Sequence, residues 1–178
     1  YVGWNKVIWN PPHFILPIKG MHLDLGGVVE EYAADIAASL CLAEGINYGF
    51  IDLGGDISVF GPHADGSPWI IGIKDPLAPN NDIATVKISQ GGSASSGDYE
   101  RYFEINGVRY GHILNPKTGW PSYGVSAVSV ISPQCLVAGS LATIAMLSEG
   151  EDILKDIGIP YILLDSKADI IGSSQLTL

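Results

Sequence analysis

Short apolar segments separated by turn residues recur along most of this chain, and they predict β-strands. The segments are rich in Ile, Val and aromatic residues, which are enriched in strands, and clusters of Gly, Pro, Asn or Asp bound most of them. The strands predicted from this pattern are Lys6–Trp9, His13–Leu16, Phe50–Leu53, Ile57–Phe60, Trp69–Ile73, Ile83–Ile88, Val125–Ile131, Tyr161–Leu164 and Ile170–Ser173.

A β-hairpin is predicted over residues 102–110. Phe103-Glu104-Ile105 and Val108-Arg109-Tyr110 flank Asn106-Gly107, the residue pair that a two-residue type I′ turn favours. Because this turn matches the twist of antiparallel strands, the two flanking segments should pair with each other.

A helix is predicted over Val28–Ala43, ending near Gly45. Its apolar residues recur at helical spacing and should form the face that packs on the core. These residues are Val28, Val29, Tyr32, Ala33, Ile36 and Leu40.

Two further helices follow later in the chain. Ser132 is predicted to cap the first, with Pro133 at its first position. The apolar run Cys135–Leu147 would then form a buried core helix. Ser148 and Glu151 form a capping-box pattern for a last helix that ends at Gly158.

The order of these elements indicates an α+β fold. Strands dominate, turns join most of them, and the helices do not alternate regularly with strands, which favours a mainly antiparallel sheet with packed helices. With 178 residues, the chain has the size of one domain.

Composition narrows the functional class. The formal net charge of −10 argues against a nucleic-acid surface, which needs clustered Lys and Arg. No apolar run reaches the roughly 18 residues that a membrane helix needs. Cys41 and Cys135 lack the spacing of a zinc site and are expected to be two buried thiols.

The strongest chemical signal is the polar stretch between Ser95 and Pro121. It contains Ser95, Ser96, Asp98 and Thr118 around a single histidine, His112. Buried polar groups need partners, so a ligand-binding hairpin explains this density better than a core does. His112 could be a catalytic base or a structural histidine, and its polar neighbours favour the functional interpretation. The adjacent residues Glu100 and Arg101 could simply pair with each other or with neighbouring strands.

A second candidate lies where Asp24-Leu25-Gly26-Gly27 enters the first helix. Glycines allow a ligand close to the backbone, and a helix N-terminus attracts phosphate, although a tight turn is the simpler interpretation. Glu30 and Glu31 suit the helix dipole but would repel a phosphate unless a cation intervened. The motif recurs at Asp52–Gly55, by coincidence or as a second turn of the same kind. Asp56 after it could serve the turn or face a ligand.

Taken together, these motifs resemble the ApbE-like FAD:protein FMN transferases. The matching blocks follow the order of that family and cover most of the chain. They are Asp24–Ala33, Gly45–Ile57, Trp69–Pro76, Ser95–Glu104 and Arg109–Pro121, with a weaker match over Ala138–Thr143.

The resemblance implies a T-fold-like domain that binds FAD with Mg²⁺. It further implies transfer of FMN from FAD to a Ser or Thr hydroxyl of a partner protein, with release of AMP. His112 would lie near the reacting phosphate. The residues implied at the FAD site are Asp24, Gly26, Tyr32, Ser95, Ser96, His112, Ile113 and Thr118. The metal would be held by the Val29 carbonyl and by Thr143, with Ala142 beside it.

The chain departs from the family pattern at three places. Gly139 stands where the family usually has Asp, and Val29-Glu30-Glu31 stands where it usually has Ala-Lys-Gly. Asn115 replaces a common Asp. The first two departures fall on the metal and phosphate site, so they call Mg²⁺ binding into question. Restoring Asp at Gly139 and Lys at Glu30 should then increase Mg²⁺-dependent activity.

Members of this family are usually longer at the N-terminus. Residues 1–178 therefore resemble a single ApbE-like domain that lacks the family's N-terminal segment. Two alternatives to an active transferase follow: a flavin-binding relative that lost the metal site, or a subunit completed by a partner chain. By family analogy the protein would act in the cell envelope or periplasm.

Overall fold

A six-stranded antiparallel sheet forms the centre of the computed structural model, which describes residues 1–78, 80–99, 101–148 and 152–174. The helices are α1 (Val29–Ala43), α2 (Cys135–Leu147) and α3 (Asp152–Ile157), and a 3₁₀ turn covers Trp4–Lys6. The strands are β1 (Ile8–Asn10), β2 (His13–Ile15), β3 (Gly49–Leu53), β4 (Asp56–Gly61), β5 (Trp69–Lys74), β6 (Asp82–Ile88), β7 (Gly91–Gly97), β8 (Tyr102–Ile105), β9 (Val108–Gly111), β10 (Ala127–Ser132), β11 (Tyr161–Leu164) and β12 (Ile170–Ser173).

The strand order in the central sheet is β12-β11-β10-β7-β4-β3, and all of its pairings are antiparallel. Strand β10 lies inside this order and is buried along its whole length. The hairpins β1–β2, β5–β6 and β8–β9 form three separate two-stranded sheets. The predicted α+β class with a mainly antiparallel sheet is therefore confirmed.

Each face of the sheet is covered by a different layer. On one face, Val128 and Val130 of β10 pack with Ala138 and Ala142 of α2. On the other face, the β5–β6 hairpin covers the sheet through buried apolar residues. Helices, sheet and hairpin thus form three layers, because β10 alternates its side chains between two apolar cores.

Strand β7 was not predicted. Its sequence of Gly, Ser and Ala has weak strand propensity, yet it pairs with β10 on one side and β4 on the other. A Cβ atom added to Gly92 would lie 2.8 Å from the carbonyl carbon of Gln134 and would also strike the backbone of Cys135. Small residues are needed because α2 begins directly against this strand. The stretch from Ser95 is accordingly part of the sheet as well as of a candidate site.

Helix α1 has the predicted bounds to within one residue, but the prediction of its buried face was wrong. Its buried residues are Glu31, Ala34 and Ala38. The large apolar residues Val29, Tyr32, Ile36 and Leu40 are exposed. Small side chains allow α1 to approach the sheet and α2 closely, whereas the periodicity of large residues marks a face that nothing in the described residues covers.

The predicted cap of α2 was also wrong. Ser132 and Pro133 precede the helix, which begins at Cys135 without a side-chain cap from its N-cap residue Gln134. The cap comes from α1: both oxygens of Asp35 accept main-chain N–H groups, from Cys135 and Leu136, each at 3.0 Å. Glu151 of the predicted capping box lies outside the described residues.

Two smaller predictions have mixed outcomes. Cys135 is buried as expected, but Cys41 is only half-buried, so it was wrong to expect two buried thiols. Among the described residues, no helix is long and apolar enough to span a membrane, as the sequence predicted.

Candidate functional site

A cleft of about 1100 Å³ lies where the two Asp-Leu-Gly-Gly turns, the start of α1, β7 and the segment after β9 meet. It contains seven of the residues implied by the family resemblance: Asp24, Gly26, Ser95, Ser96, His112, Ile113 and Thr143. Residues far apart in sequence are thus brought into one cavity.

Four of the implied residues do not line this cleft. Tyr32 lies on the exposed face of α1, and the Ala142 side chain is fully buried in the core beneath α2. The Thr118 hydroxyl accepts the main-chain N–H group of Trp120 at 3.2 Å, within an exposed turn. Val29 is about half exposed at the first position of α1. The roles of these residues stay predictions.

The repeated Asp-Leu-Gly-Gly motif forms two turns of different geometry at the edge of the cleft, since Gly54 and Gly55 have positive φ and the glycines before α1 do not. Asp24 Oδ1 accepts the N–H group of Gly26, and Asp52 Oδ1 accepts that of Gly55, both at 2.8 Å. Each carboxylate therefore holds its own turn, as Asp side chains commonly do. Asp56, at the start of β4, also lines the cleft.

His112 reaches the cleft from the end of the β8–β9 hairpin. The hairpin turn has φ values of 51° at Asn106 and 77° at Gly107, as the predicted type I′ turn requires. The His112 Nδ1 atom lies 3.1 Å from the carbonyl oxygen of Arg101. Because a carbonyl only accepts, this bond places a proton on Nδ1 and leaves Nε2 of the neutral ring as a proton acceptor.

Hydrogen bonds between pairs of hydroxyl groups link β7 to its neighbours on both faces of the sheet. The Ser96 and Thr143 hydroxyls are 2.9 Å apart and join β7 to α2. On the opposite face, the Ser95 and Ser129 hydroxyls are 2.7 Å apart. The first pair holds the Thr143 hydroxyl at the cleft wall, so its position is set by the sheet as well as by its own helix.

Asp98 has a structural role. Its Oδ1 atom accepts the hydroxyl proton of Ser126 at 2.7 Å, and its own main-chain N–H donates to the Ser126 carbonyl at 3.0 Å. These bonds continue the β7–β10 connection beyond the end of the strand.

The cleft wall is acidic. Its basic side chains among the described residues are Lys74 and Arg101. Its carboxylates are Asp24, Glu30, Glu31, Asp52, Asp56 and Asp82. An anionic ligand would meet repulsion here unless a cation accompanied it.

Glu31 is the unusual member of this group. It is only 7% exposed, and its Oε2 atom has no hydrogen-bond partner. Burial raises the pKa of Glu31 above its ordinary value, a hydrogen bond from its own main-chain N–H group offsets part of this rise, and the negative charge of Glu30 adds to it. Its side chain lies over Gly139, where an added Cβ atom would be 2.6 Å from Glu31 Cγ and 2.7 Å from Cδ.

These residues fit a hard, oxygen-binding cation better than a nitrogen- or sulfur-binding one. No group of three or more His, Cys, Asp or Glu residues in the described part of the chain could hold a metal by itself. A buried carboxylate with a free oxygen and a nearby hydroxyl would instead form a partial site. Mg²⁺ is commonly bound in this way, by one or two carboxylates with water and substrate phosphate.

Sequence reasoning missed two of the residues that build this region. Glu31 was interpreted as a charge that suits the helix dipole and repels phosphate unless a cation intervenes, and not as a buried residue, while Asp35 was not singled out. The sequence carried one usable signal for Asp35, since a charged residue between Ala34 and Ile36 in an apolar helix requires a partner.

Comparison with known proteins shows what the chain is similar to. The model of the ApbE family matches residues 1–159. An FAD:protein FMN transferase of Vibrio cholerae is 35% identical over 138 residues, which cover 76% of this chain and 41% of the relative. One from Escherichia coli is 31% identical over 157 residues, covering 85% and 45%. The chain thus spans less than half the length of these relatives.

Solved structures agree with this result. The ApbE protein of Thermotoga maritima superposes with a TM-score of 0.87 at 34% identity, covering 97% of this chain and 58% of that one. The flavin transferase ApbE of Vibrio cholerae gives 0.79 at 27% identity, covering 94% and 55%. The absence of an N-terminal segment from residues 1–178 stays a prediction.

Proposed function

The chain belongs to the ApbE family, and on that premise we propose that it carries the reaction centre of an FAD:protein FMN transferase. The observation that carries this proposal is the cleft itself, which brings His112, Thr143 and the glycine turn before α1 together. The curated relatives from Vibrio cholerae and Escherichia coli are FAD:protein FMN transferases.

The proposed reaction exchanges one phosphate bond for another. The hydroxyl oxygen of a Ser or Thr on the acceptor protein attacks the phosphorus of the FMN half of FAD. A new P–O bond forms to the acceptor, and the bridging P–O bond of the pyrophosphate breaks. AMP leaves with that bridging oxygen, and the hydroxyl proton passes to a base.

His112 is the proposed base. Its Nδ1–H is held by the Arg101 carbonyl, so Nε2 is the atom free to take the hydroxyl proton. The side chain is exposed at the cleft, and an acceptor segment from another protein can therefore reach it.

The start of α1 is the proposed site of the pyrophosphate. The positive end of a helix dipole favours anions, and Gly26 and Gly27 allow phosphate oxygens close to the backbone. Lys74 and Arg101 line the same cleft and would offset part of the ligand's charge. Ser95, Ser96 and Ile113 would form further walls around the flavin nucleotide.

A divalent cation completes the proposed site. Thr143 and the Val29 carbonyl are its expected holders by family resemblance. When bound, Mg²⁺ would supply positive charge that offsets the negative charge developing on the phosphates during attack.

The protein is proposed to act in the cell envelope or periplasm, by family analogy. Fractionation of cells that express this chain, with the flavin followed by fluorescence, would check that location. Recovery of all flavinylated protein from the cytosol would contradict it.

The test of function is an in vitro transfer assay. The protein is incubated with FAD, Mg²⁺ and an acceptor peptide that contains Ser or Thr, and a peptide with Ala at that position is the control. We expect covalent flavin fluorescence on the first peptide and an equal amount of AMP. FAD binding without either product would overturn the transferase proposal and favour a flavin-binding relative.

A further inference from the structure

We propose that Glu31 supplies the carboxylate ligand of a divalent cation in the cleft. Its side chain extends from α1 into the space that a side chain at Gly139 of α2 would occupy. This inference deepens the proposed function and rests on it, because binding of the FAD phosphates is what requires a cation in the cleft. Its evidence, however, is the geometry around Glu31.

The first observation is an unsatisfied buried oxygen. Glu31 is 7% exposed and lines the cleft, yet its Oε2 atom lacks a hydrogen-bond partner. A buried carboxylate is strongly unfavourable unless a cation or a donor pairs with it. Neither cationic side chain of the cleft, Lys74 or Arg101, forms an ion pair with Glu31 in the described residues. A cation bound at Oε2 would satisfy the carboxylate.

The second observation is the space over Gly139. Glu31 fills the volume that a side chain at this position would occupy, since an added Cβ atom would lie 2.6 Å from Glu31 Cγ. Gly139 is buried within α2, and its lack of a side chain is what admits Glu31. The two residues are therefore complementary, because α1 contributes a carboxylate to the space that Gly139 leaves open on α2.

The third observation is the neighbouring donor. Thr143 lies one turn beyond Gly139 on α2, so the two positions share a helix face. Its hydroxyl is held at the cleft by Ser96 at 2.9 Å. A carboxylate and a hydroxyl are hard oxygen ligands, which suit Mg²⁺ or Mn²⁺ and not thiolate-seeking metals.

The direct test measures metal binding without catalysis. Mn²⁺ takes the same kind of oxygen ligands as Mg²⁺ and can be titrated into the protein by electron paramagnetic resonance. Glu31→Gln keeps the shape and removes the charge. We expect it to weaken Mn²⁺ binding by about tenfold or more, since loss of even a supporting partner can cost a metal site that much. Glu44→Gln, at the exposed end of α1, is the matched control and should bind as the unmodified protein does.

Thermal unfolding distinguishes a metal-binding role of the Glu31 carboxylate from a purely structural one. Without metal, Glu31→Gln should be at least as stable as the unmodified protein, because it removes an unpaired buried charge. With Mn²⁺ present, the unmodified protein should gain stability that the variant does not. A lower melting temperature of the variant in both conditions would overturn the ligand role.

Moving the carboxylate from residue 31 on α1 to residue 139 on α2 tests whether the two positions share one metal site. Glu31→Ala should lose Mn²⁺ binding, and the double variant Glu31→Ala with Gly139→Asp should recover it, because the smaller residue 31 makes room for Asp. A double variant that folds but binds no better than Glu31→Ala would overturn the placement. So would unchanged Mn²⁺ binding in Glu31→Gln.

The two proposals can fail separately. Glu31-dependent Mn²⁺ binding without any flavin transfer would overturn the transferase function and leave the metal site standing. Full flavin transfer by Glu31→Gln, at limiting Mg²⁺, would overturn the metal role of Glu31 and leave the function standing.

Discussion

The carboxylate of Asp35 accepts the main-chain N–H group of Cys135 at 3.0 Å, although the two residues are 100 positions apart. Asp35 also accepts the N–H group of Leu136 and the hydroxyl of Ser58 on β4. One side chain of α1 thereby caps α2 and ties both helices to the sheet. Glu31 lies one turn before Asp35 and Gly139 one turn after Cys135, so this cap brings those two residues face to face.

Removal of the Asp35 carboxylate should destabilise the fold. Asp35→Ala would leave two N–H groups of α2 and the Ser58 hydroxyl without their acceptor. We expect a loss of about 2 kcal/mol or more in the free energy of unfolding, measured by urea denaturation. Asp156→Ala, at an exposed position of α3, should change it by less than about 0.5 kcal/mol. Equal denaturation midpoints for both variants would contradict the capping role.

Gly92 should tolerate no side chain. Gly92→Ala would drive a methyl group into the backbone of Gln134 and Cys135, so α2 would have to move off the sheet. We expect a loss of about 3 kcal/mol, at the upper end of what overpacking costs, read from the urea midpoint. Gly27→Ala is the control, because nothing lies within 4 Å of a Cβ atom there. A Gly92→Ala protein as stable as this control would show that α2 does not depend on the close approach.

His112 should be needed for chemistry and not for stability. His112→Ala is expected to slow flavin transfer by about 10²–10⁴-fold, the usual contribution of a positioned general base. The melting temperature of the variant should change little, because the side chain is exposed. His13→Ala, on the exposed strand β2, should transfer flavin at the unmodified rate. Retained transfer in His112→Ala would exclude His112 as the base.

The two cysteines should differ in reactivity. Burial raises the pKa of the Cys135 thiol, and the nearby Asp56, Asp35 and Glu31 carboxylates raise it further. The thiol therefore stays protonated through pH 8, which deprives reagents of the thiolate. A chromogenic disulfide reagent should label Cys41 alone in the native protein and both cysteines in urea. Cys41→Ser should abolish the native signal, and persistence of that signal would contradict the burial of Cys135.

The structure changes the meaning of the two main departures from the family pattern. Asp at Gly139 was expected to restore a lost metal ligand. The space at that position already holds the Glu31 side chain, so Asp alone would collide with it. Restoration requires a smaller residue 31 as well, and this is why the double variant is the informative one.

Much of the local structure could be predicted from sequence. The Asn106-Gly107 turn, the bounds of α1 and the closing strands β11 and β12 follow from turn chemistry and periodicity over a few residues. Among the residues of the cleft, Thr143 was implied only by the family resemblance, whereas His112 and the turn at Asp24 stood out through their own short motifs. Such signals are local, and a single sequence carries them in full.

Other features were decided only when distant segments packed together. Strand β7 forms despite its Gly and Ser content because it pairs with β4 and β10. Its residues are small because α2 begins directly against the strand. The buried face of α1 is the one with Ala34 and Ala38, since close helix packing favours small side chains over the large apolar ones that mark its other face. The sequence by itself determined the turns, the motifs and the strands of this protein other than β7. The surroundings of Asp35 and Glu31 were decided by tertiary structure, because the groups that lie next to a buried carboxylate come from distant parts of the chain.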